Sequence, residues 1–256
     1  MVVQRNIYIK SPEEIAIMQQ AGRINAMALA AVQEMIRPGV TTADLDAAAA
    51  EVIRKHGARP AFLGVPGAYP YPATTTVSVN DELVHGIPGK RRLNEGDIVS
   101  VDCGTIFEGF VGDSAFSIGV GEISTEAQRL IEVTEKSLYI GISMLRAGNR
   151  VGDVGAAIQE FVEGQGFHLT REYTGHGVGR AMWEGPQVPN YGIAGRGTLL
   201  RPGMTIALEP MVLVGSPRTR VLPDQWTVAS ANGKLTAHFE HSVAITDKGP
   251  LVLTEV

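Results

Sequence analysis

Leu93-Asn94-Glu95-Gly96-Asp97-Ile98-Val99-Ser100-Val101-Asp102 has an echo further along the chain, Leu200-Arg201-Pro202-Gly203-Met204-Thr205-Ile206-Ala207-Leu208-Glu209. Each block opens on Leu, turns at a Gly and runs through apolar residues to a carboxylate. Working outward, Arg37-Pro38-Gly39 followed by Asp44 and Gly57 is matched at one constant displacement by Arg146-Ala147-Gly148, Asp153 and Gly166, and His85-Gly86-Ile87 echoes His176-Gly177-Val178. Any one of these matches could be chance, but a helix–helix–strand order repeats with them. The period is far longer than the roughly 20–50 residues of solenoid repeats. The pattern points to two pseudo-equivalent α+β halves, about 10–120 and 121–250, sharing one curved sheet with helices on its outer face. A site would form where the halves meet.

Local signals agree with this division. Ser11-Pro12-Glu13-Glu14 supplies an N-cap, a proline at the first helical position and a capping-box acid, and Ile15, Met18, Ala21, Ala28 and Met35 follow at helical spacing until Pro38-Gly39. A second helix is expected over 42–55, ending at Gly57, with further helices over 124–145 and 153–163. The Gly-, Pro- and Tyr-rich stretch 61–76 reads as a loop. Strands are expected at 77–79, 97–107 and 110–120, with Glu108-Gly109 as a two-residue hairpin turn, and later near 203–214, 225–229 and 235–246.

The 256 residues carry a net charge of −5, with 44% hydrophobic and 19% charged residues, enough chain and apolar content to bury a core. No apolar run approaches the length of a membrane span, and Met1–Lys10 has no signal-like segment, so a membrane protein is not expected. The single cysteine, Cys103, leaves no internal disulfide and no Cys-rich zinc site, which fits a reducing cytoplasm. Lys90-Arg91-Arg92 is the only basic cluster, so nucleic acid is not expected as the primary partner.

The chemistry starts with Asp102 and Asp113. Across a two-residue turn, Asp113 lies opposite Gly104 and Asp102 is its diagonal neighbour on the same sheet face, while Val101, Cys103 and Phe107 point the other way. On this hairpin alone, a solvated acidic face is as good an account as a shared cation. Glu209 and Glu240, however, stand in runs too apolar for exposed strands, Met204–Val212 and His238–Ile245. An unpaired buried carboxylate costs several kcal/mol, so such groups are neutralised, paired or metal-bound. Pseudo-symmetry brings two acids from each half toward one place, which favours metal. His176 sits within Tyr173-Thr174-Gly175-His176-Gly177-Val178-Gly179, taken as a glycine-rich turn that allows close approach. A ligand set rich in oxygen with one nitrogen suits two divalent ions of the Mn, Fe, Co or Mg kind and hydrolysis without a covalent protein nucleophile. No phosphate loop, HExxH helix or GxSxG elbow is present, and Cys103 reads as packing.

His85-Gly86-Ile87-Pro88, Val101-Asp102-Cys103-Gly104, Gly112-Asp113, Thr174-Gly175-His176-Gly177, Leu208-Glu209-Pro210-Met211 and Phe239-Glu240-His241 together resemble the type I methionine aminopeptidases, in order and spacing over essentially the whole chain. The resemblance implies one catalytic domain over 1–256 with the pita-bread (creatinase/aminopeptidase) α+β fold, pseudo-twofold halves with a curved antiparallel sheet and outer helices. It implies two divalent metal ions (Co, Mn, Fe, Zn or Ni, the identity open) on Asp102, Asp113, His176, Glu209 and Glu240, with Asp113 and Glu240 bridging. It further implies that Glu209 handles the proton of the attacking water and His85 hydrogen-bonds the substrate. The implied activity is removal of the initiator methionine from nascent chains with a small second residue. Apart from the resemblance, the lone cysteine points to the cytoplasm and the lack of an exposed heptad or hydrophobic stripe to a monomer, with a transient ribosome contact left open.

The chain departs from the family pattern at Trp183, where the family carries a second histidine that contacts the scissile carbonyl. Indole has one N–H and cannot shuttle a proton. Met182 stands where an aromatic residue is usual and His238 where glutamine is common, while Trp226 matches the family's pocket tryptophan; His85, Met182, Trp183, Trp226 and His238 form the expected substrate wall. Two alternatives stay open: an exopeptidase of the same fold with altered first-residue preference or low activity, and a non-catalytic binding module. Prolidase and aminopeptidase P relatives usually carry an extra N-terminal domain, for which a chain helical from Ser11 has no room.

Overall fold

Ser11 accepts a hydrogen bond from the Glu14 N–H while the Glu14 carboxylate accepts from Ser11 N–H, and this box opens α1 (Pro12–Met35). Thr41 and Asp44 form the same reciprocal pair at the start of α2 (Thr42–Lys55). Ser124 caps α3 (Thr125–Met144), and the Asp153 carboxylate accepts from Arg150 N–H at the start of α4 (Val151–Gly164). The computed structural model that carries these helices describes residues 6–255. The leader-free reading of the chain start falls partly on residues 1–5, which lie outside it.

The strands are β1 (Arg59–Pro60), β2 (Thr75–Val79), β3 (Glu82–Val84), β4 (Ile98–Phe107), β5 (Phe110–Gly119), β6 (His168–Leu169), β7 (Gly175–Gly177), β8 (Glu184–Val188), β9 (Thr205–Leu208), β10 (Met211–Leu213), β11 (Thr219–Val221), β12 (Val228–Ser230), β13 (Thr236–His238), β14 (Glu240–Thr246) and β15 (Gly249–Val252). Nine of them form one curled antiparallel sheet in the order β1-β4-β5-β14-β9-β7-β8, with β2 also on β4 and β15 also on β14. Two small sheets, β13-β10-β6 and β11-β12-β3, accompany it among the described residues.

The helices cover the large sheet in two pairs. α1 packs on α2, β4 and β5, closing a core around Leu45, Ile53, Val99, Val101 and Cys103. α3 packs on α4 and the later strands over Leu130, Leu138, Ile158, Ile206 and Leu208. Contact between α1 and β5 is close enough to need glycine: a Cβ on Gly112 would lie 2.6 Å from Gly22 N. Asn25, fully buried on α1, donates to Cys103 O and Gly112 O and so clasps the β4–β5 hairpin from outside.

The hairpin has the expected register. Glu108 (φ 48°) and Gly109 (φ 81°) make the turn, Gly104 pairs with Asp113 and Asp102 with Ala115. Elsewhere the strands differ from expectation. The run 203–214 is two strands, β9 and β10, in different sheets, because Pro210 has no N–H for the ladder. The run 235–246 breaks at Phe239 into β13 and β14, and Met211 pairs with His238, so both segments leave the large sheet side by side. The 225–229 strand is shorter and later, as β12. The 61–76 loop ends where β2 begins at Thr75.

Candidate active site

Five adjacent strands of the large sheet, in the order β4-β5-β14-β9-β7, each contribute one candidate side chain: Asp102, Asp113, Glu240, Glu209 (the residue after β9) and His176. Their common orientation follows from pairing. Asp102 and Glu240 both face Ala115 across their ladders, so Asp113, two residues away, shares their side. Leu208 pairs with His241, which sets Glu209 beside Glu240, and His176 pairs with Ala207, itself opposite Ser242. All five line one cavity of about 280 Å³. His176 is on a strand rather than the expected turn, and its glycines serve close approach: a Cβ on Gly177 would lie 2.1 Å from Gly185 O.

The cluster is tight and poorly satisfied. One ligand atom each from Asp113, His176 and Glu240 lie within 4.8 Å of one another. His176 Nδ1 donates to Gly177 O at 2.9 Å, which leaves Nε2 facing Glu209 Oε1 at 3.4 Å and Asp113 Oδ2 at 3.9 Å. Asp102 Oδ1, Asp113 Oδ1 and Glu240 Oε1 are buried with no hydrogen-bond partner.

Burial and mutual repulsion hold Asp102, Glu209 and Glu240 well above the usual carboxylate range, and burial raises Asp113 to about 7. A Glu240–Asp113 hydrogen bond opposes that rise at Asp113. Burial lowers His176 to about 4, so its imidazole is neutral. A neutral nitrogen with a free lone pair, beside carboxyl oxygens lacking partners, suits a divalent cation rather than an internal salt bridge.

The cavity wall carries His85, Met182, Trp183 and Trp226 together with Tyr71 and Tyr173. Trp183 meets the His176 ring edge-on at 6.4 Å between centroids, and His85 lies in edge contact with Tyr173 (6.0 Å) and Trp226 (6.5 Å). The echo between His85 and His176 does not extend to conformation. His85 sits past β3 at φ 61°, held where Gly86 N donates to Ser78 Oγ and Tyr71 OH donates to Gly86 O, whereas His176 is extended in β7. His238, expected in the substrate wall, is not among the residues lining the cavity. It is buried behind, with Nε2 4.0 Å from Glu209 Oε2 and 3.9 Å from Glu240 Oε2.

Asn190 was not foreseen. Fully buried, it donates to Glu209 O at 2.9 Å where the chain turns out of the large sheet. No local sequence signal marks it.

The profile of metallopeptidase family M24 matches residues 16–247. The chain is 48% identical over 248 residues to the methionine aminopeptidase of Clostridium perfringens, covering 97% of this chain and 98% of that protein. It is 47% identical over 250 residues to methionine aminopeptidase 1 of Bacillus subtilis, covering 98% and 100%. The crystal structure of the methionine aminopeptidase from Thermotoga maritima superposes with a TM-score of 0.95 at 46% identity, covering 98% and 100% of the two chains. The prolidase of Pyrococcus furiosus shares the fold alone, with a TM-score of 0.79 at 23% identity, covering 97% of this chain and 65% of that one.

Proposed function

The chain belongs to metallopeptidase family M24 and is a metal-dependent aminopeptidase, and from that premise we propose that it removes the initiator methionine from peptides and nascent proteins whose second residue is small. The observation that carries the site assignment is the set of partnerless buried oxygens on Asp102, Asp113 and Glu240 beside the free Nε2 of His176. With Glu209 these residues would hold two divalent cations, of Co, Mn, Fe, Zn or Ni. Asp113 and Glu240 occupy neighbouring strands near the middle of the row, which suits them to be shared. When bound, such a pair polarises the scissile carbonyl and acidifies water to near neutrality.

The chain's own groups do the rest. Glu209 keeps 14% of its side chain exposed, against 2% for Asp113, which leaves its carboxylate accessible to take the proton of the attacking water and deliver it to the leaving amine. His85, held neutral by burial with a pKa of about 4, offers a hydrogen bond near the scissile amide. Trp226, Phe62, Val65 and Met182 make an apolar wall for an unbranched thioether side chain. A cytoplasmic monomer in transient contact with the ribosome completes the proposal. The lone cysteine is buried, and no helix among the described residues is long and apolar enough to cross a membrane.

The test is to load the protein with Mn(II) or Co(II) and follow methionine release from Met-Ala-Ser and Met-Gly peptides. Absence of release at saturating metal overturns the proposal. Trp183 and Met182 in the wall favour one second reading, an altered first-residue preference or a slow rate, which profiling across first residues separates from the first.

A further inference from the structure

Lys10 and Glu184 form a buried ion pair: their side chains are 4% and 2% exposed and they stand 174 residues apart in sequence. Nothing in the proposed reaction uses it. Around it, the extended segment 6–10 is stitched to the sheet. Gly185 N donates to Asn6 O at 3.0 Å, Ile7 bridges to Gly185, and Lys10 N donates to Gly203 O at 2.8 Å. Lys10 Nζ also donates to Tyr8 O at 3.3 Å.

Glu184 is the anchor of the turn that precedes it. Its Oε1 accepts from Ala181 N at 3.2 Å, and Gly179 N donates to Ala181 O at 3.1 Å, so the carboxylate folds 179–184 back on itself. Met182 and Trp183, the two residues of that turn in the cavity wall, lie immediately before the anchor. Gly179 accounts for the third glycine of the Gly175-x-Gly177-x-Gly179 pattern: a Cβ there would lie 2.4 Å from Lys10 Cε and 2.7 Å from Glu184 Oε1. The lysine stem therefore fills the space under the turn while its ammonium neutralises the carboxylate that closes it.

We propose that Lys10 and Glu184 are positioning residues for the substrate pocket, with segment 6–10 acting as the rear brace of the Met182–Trp183 wall and so setting first-residue selectivity. This rests on the aminopeptidase proposal for its kinetic arm and on geometry alone for its spectroscopic arm. Lys10→Met by itself would strand a buried carboxylate and could unfold the protein. The double variant Lys10→Met/Glu184→Gln removes both charges while keeping an oxygen for Ala181 N, so it isolates the brace from the charge penalty.

Two measurements decide. Trp183 and Trp226 are the only tryptophans, so in a Trp226→Phe background acrylamide quenching reports on Trp183 alone. The double variant should raise its quenching constant about twofold relative to the same background with the pair intact. In the metal-loaded protein with Trp226 retained, the double variant should raise KM for Met-Ala-Ser by about tenfold with kcat within threefold, and should narrow the preference for methionine over leucine at the first position. Bound-metal stoichiometry should be unchanged. Unchanged quenching together with unchanged KM and preference overturns the proposal and leaves the pair as a simple staple. An intact protein that releases no methionine at all defeats the functional reading instead, while the quenching result still judges the brace.

Discussion

The two halves of the molecule deliver their acidic side chains by different means. In the first, Asp102 and Asp113 stand within a hairpin of two ten-residue strands, β4 and β5, whose unbroken ladder sets their positions. In the second, Glu209 and Glu240 stand at strand ends, one just after β9 and one opening β14, beside the points where both segments leave the large sheet. The turns that frame the halves agree: Gly39 and Gly148, Gly57 and Gly166, and Gly96 and Gly203 all take positive φ. The scaffold repeats, and Asp102 and Glu209 end equivalent blocks of it, but the strands that carry the candidate acids end differently in the two halves. Each half also has one buried asparagine on backbone carbonyls, Asn25 clasping the hairpin and Asn190 holding Glu209 O. A ladder needs little help to aim a side chain, whereas a chain end depends on individual props.

If both halves are indispensable, Asp113→Asn and Glu240→Gln should each lower peptide turnover by about 10³-fold and reduce bound metal below that of wild type, measured by elemental analysis. Retention of more than about a tenth of activity in either would break the comparison. Trp183→His should raise turnover by about 10²-fold if the indole displaces a transition-state donor; an unchanged rate would mean that another group serves in its place.

The asparagines sharpen the contrast. Asn190→Ala should cost roughly 10–100-fold in metal affinity or turnover, as loss of a group supporting a metal-site residue does, with a smaller loss of stability than Asn25→Ala because it orphans one carbonyl rather than two. Asn25→Ala should do the reverse. It orphans buried carbonyls and should cost about 2–3 kcal/mol by urea unfolding, while folded protein keeps nearly full turnover.

The smallest effect is on pH dependence. Asp113 is raised from 3.8 to about 7 in the fold by burial. Well below pH 3.8 both folded and unfolded chains hold this proton, and its contribution to the stability of metal-free protein is complete. As pH climbs toward 7 the unfolded chain gives the proton up first, so that contribution is lost. A cation in the site takes the proton's place. The gap in Tm between metal-loaded and metal-free protein should therefore widen from pH 5 to 7.5, by calorimetry at matched ionic strength. A constant gap would place the acids outside the metal site.

Helix ends and the hairpin were legible because their signals are local: the capping pair at Ser11/Glu14, the glycines that end the helices and a Glu-Gly turn flanked by apolar runs. Glu209 and Glu240 stood out because acids in apolar runs demand an explanation, and the internal repeat drew Asp102 and Asp113 to them; the full set with His176 came from the family resemblance, and the structure gathers all five around one cavity. The break at Glu209-Pro210 had a signal in Pro210, outweighed by the apolar run around it. The break at Phe239 had none, since it comes from the pairing of Met211 with His238. His176 looked like part of a turn because glycines that admit a close neighbour resemble glycines that bend the chain. Asn190 and the Lys10–Glu184 pair depend on neighbours remote in sequence, which no local pattern announces.

The position of β14 between β5 and β9 has a consequence for biosynthesis. Until residue 240 has emerged and docked, β5 has an open edge and the row of donors lacks its middle member. On the proposed assignment, a growing chain would be unable to cut anything, its own amino terminus included, until that late strand is in place.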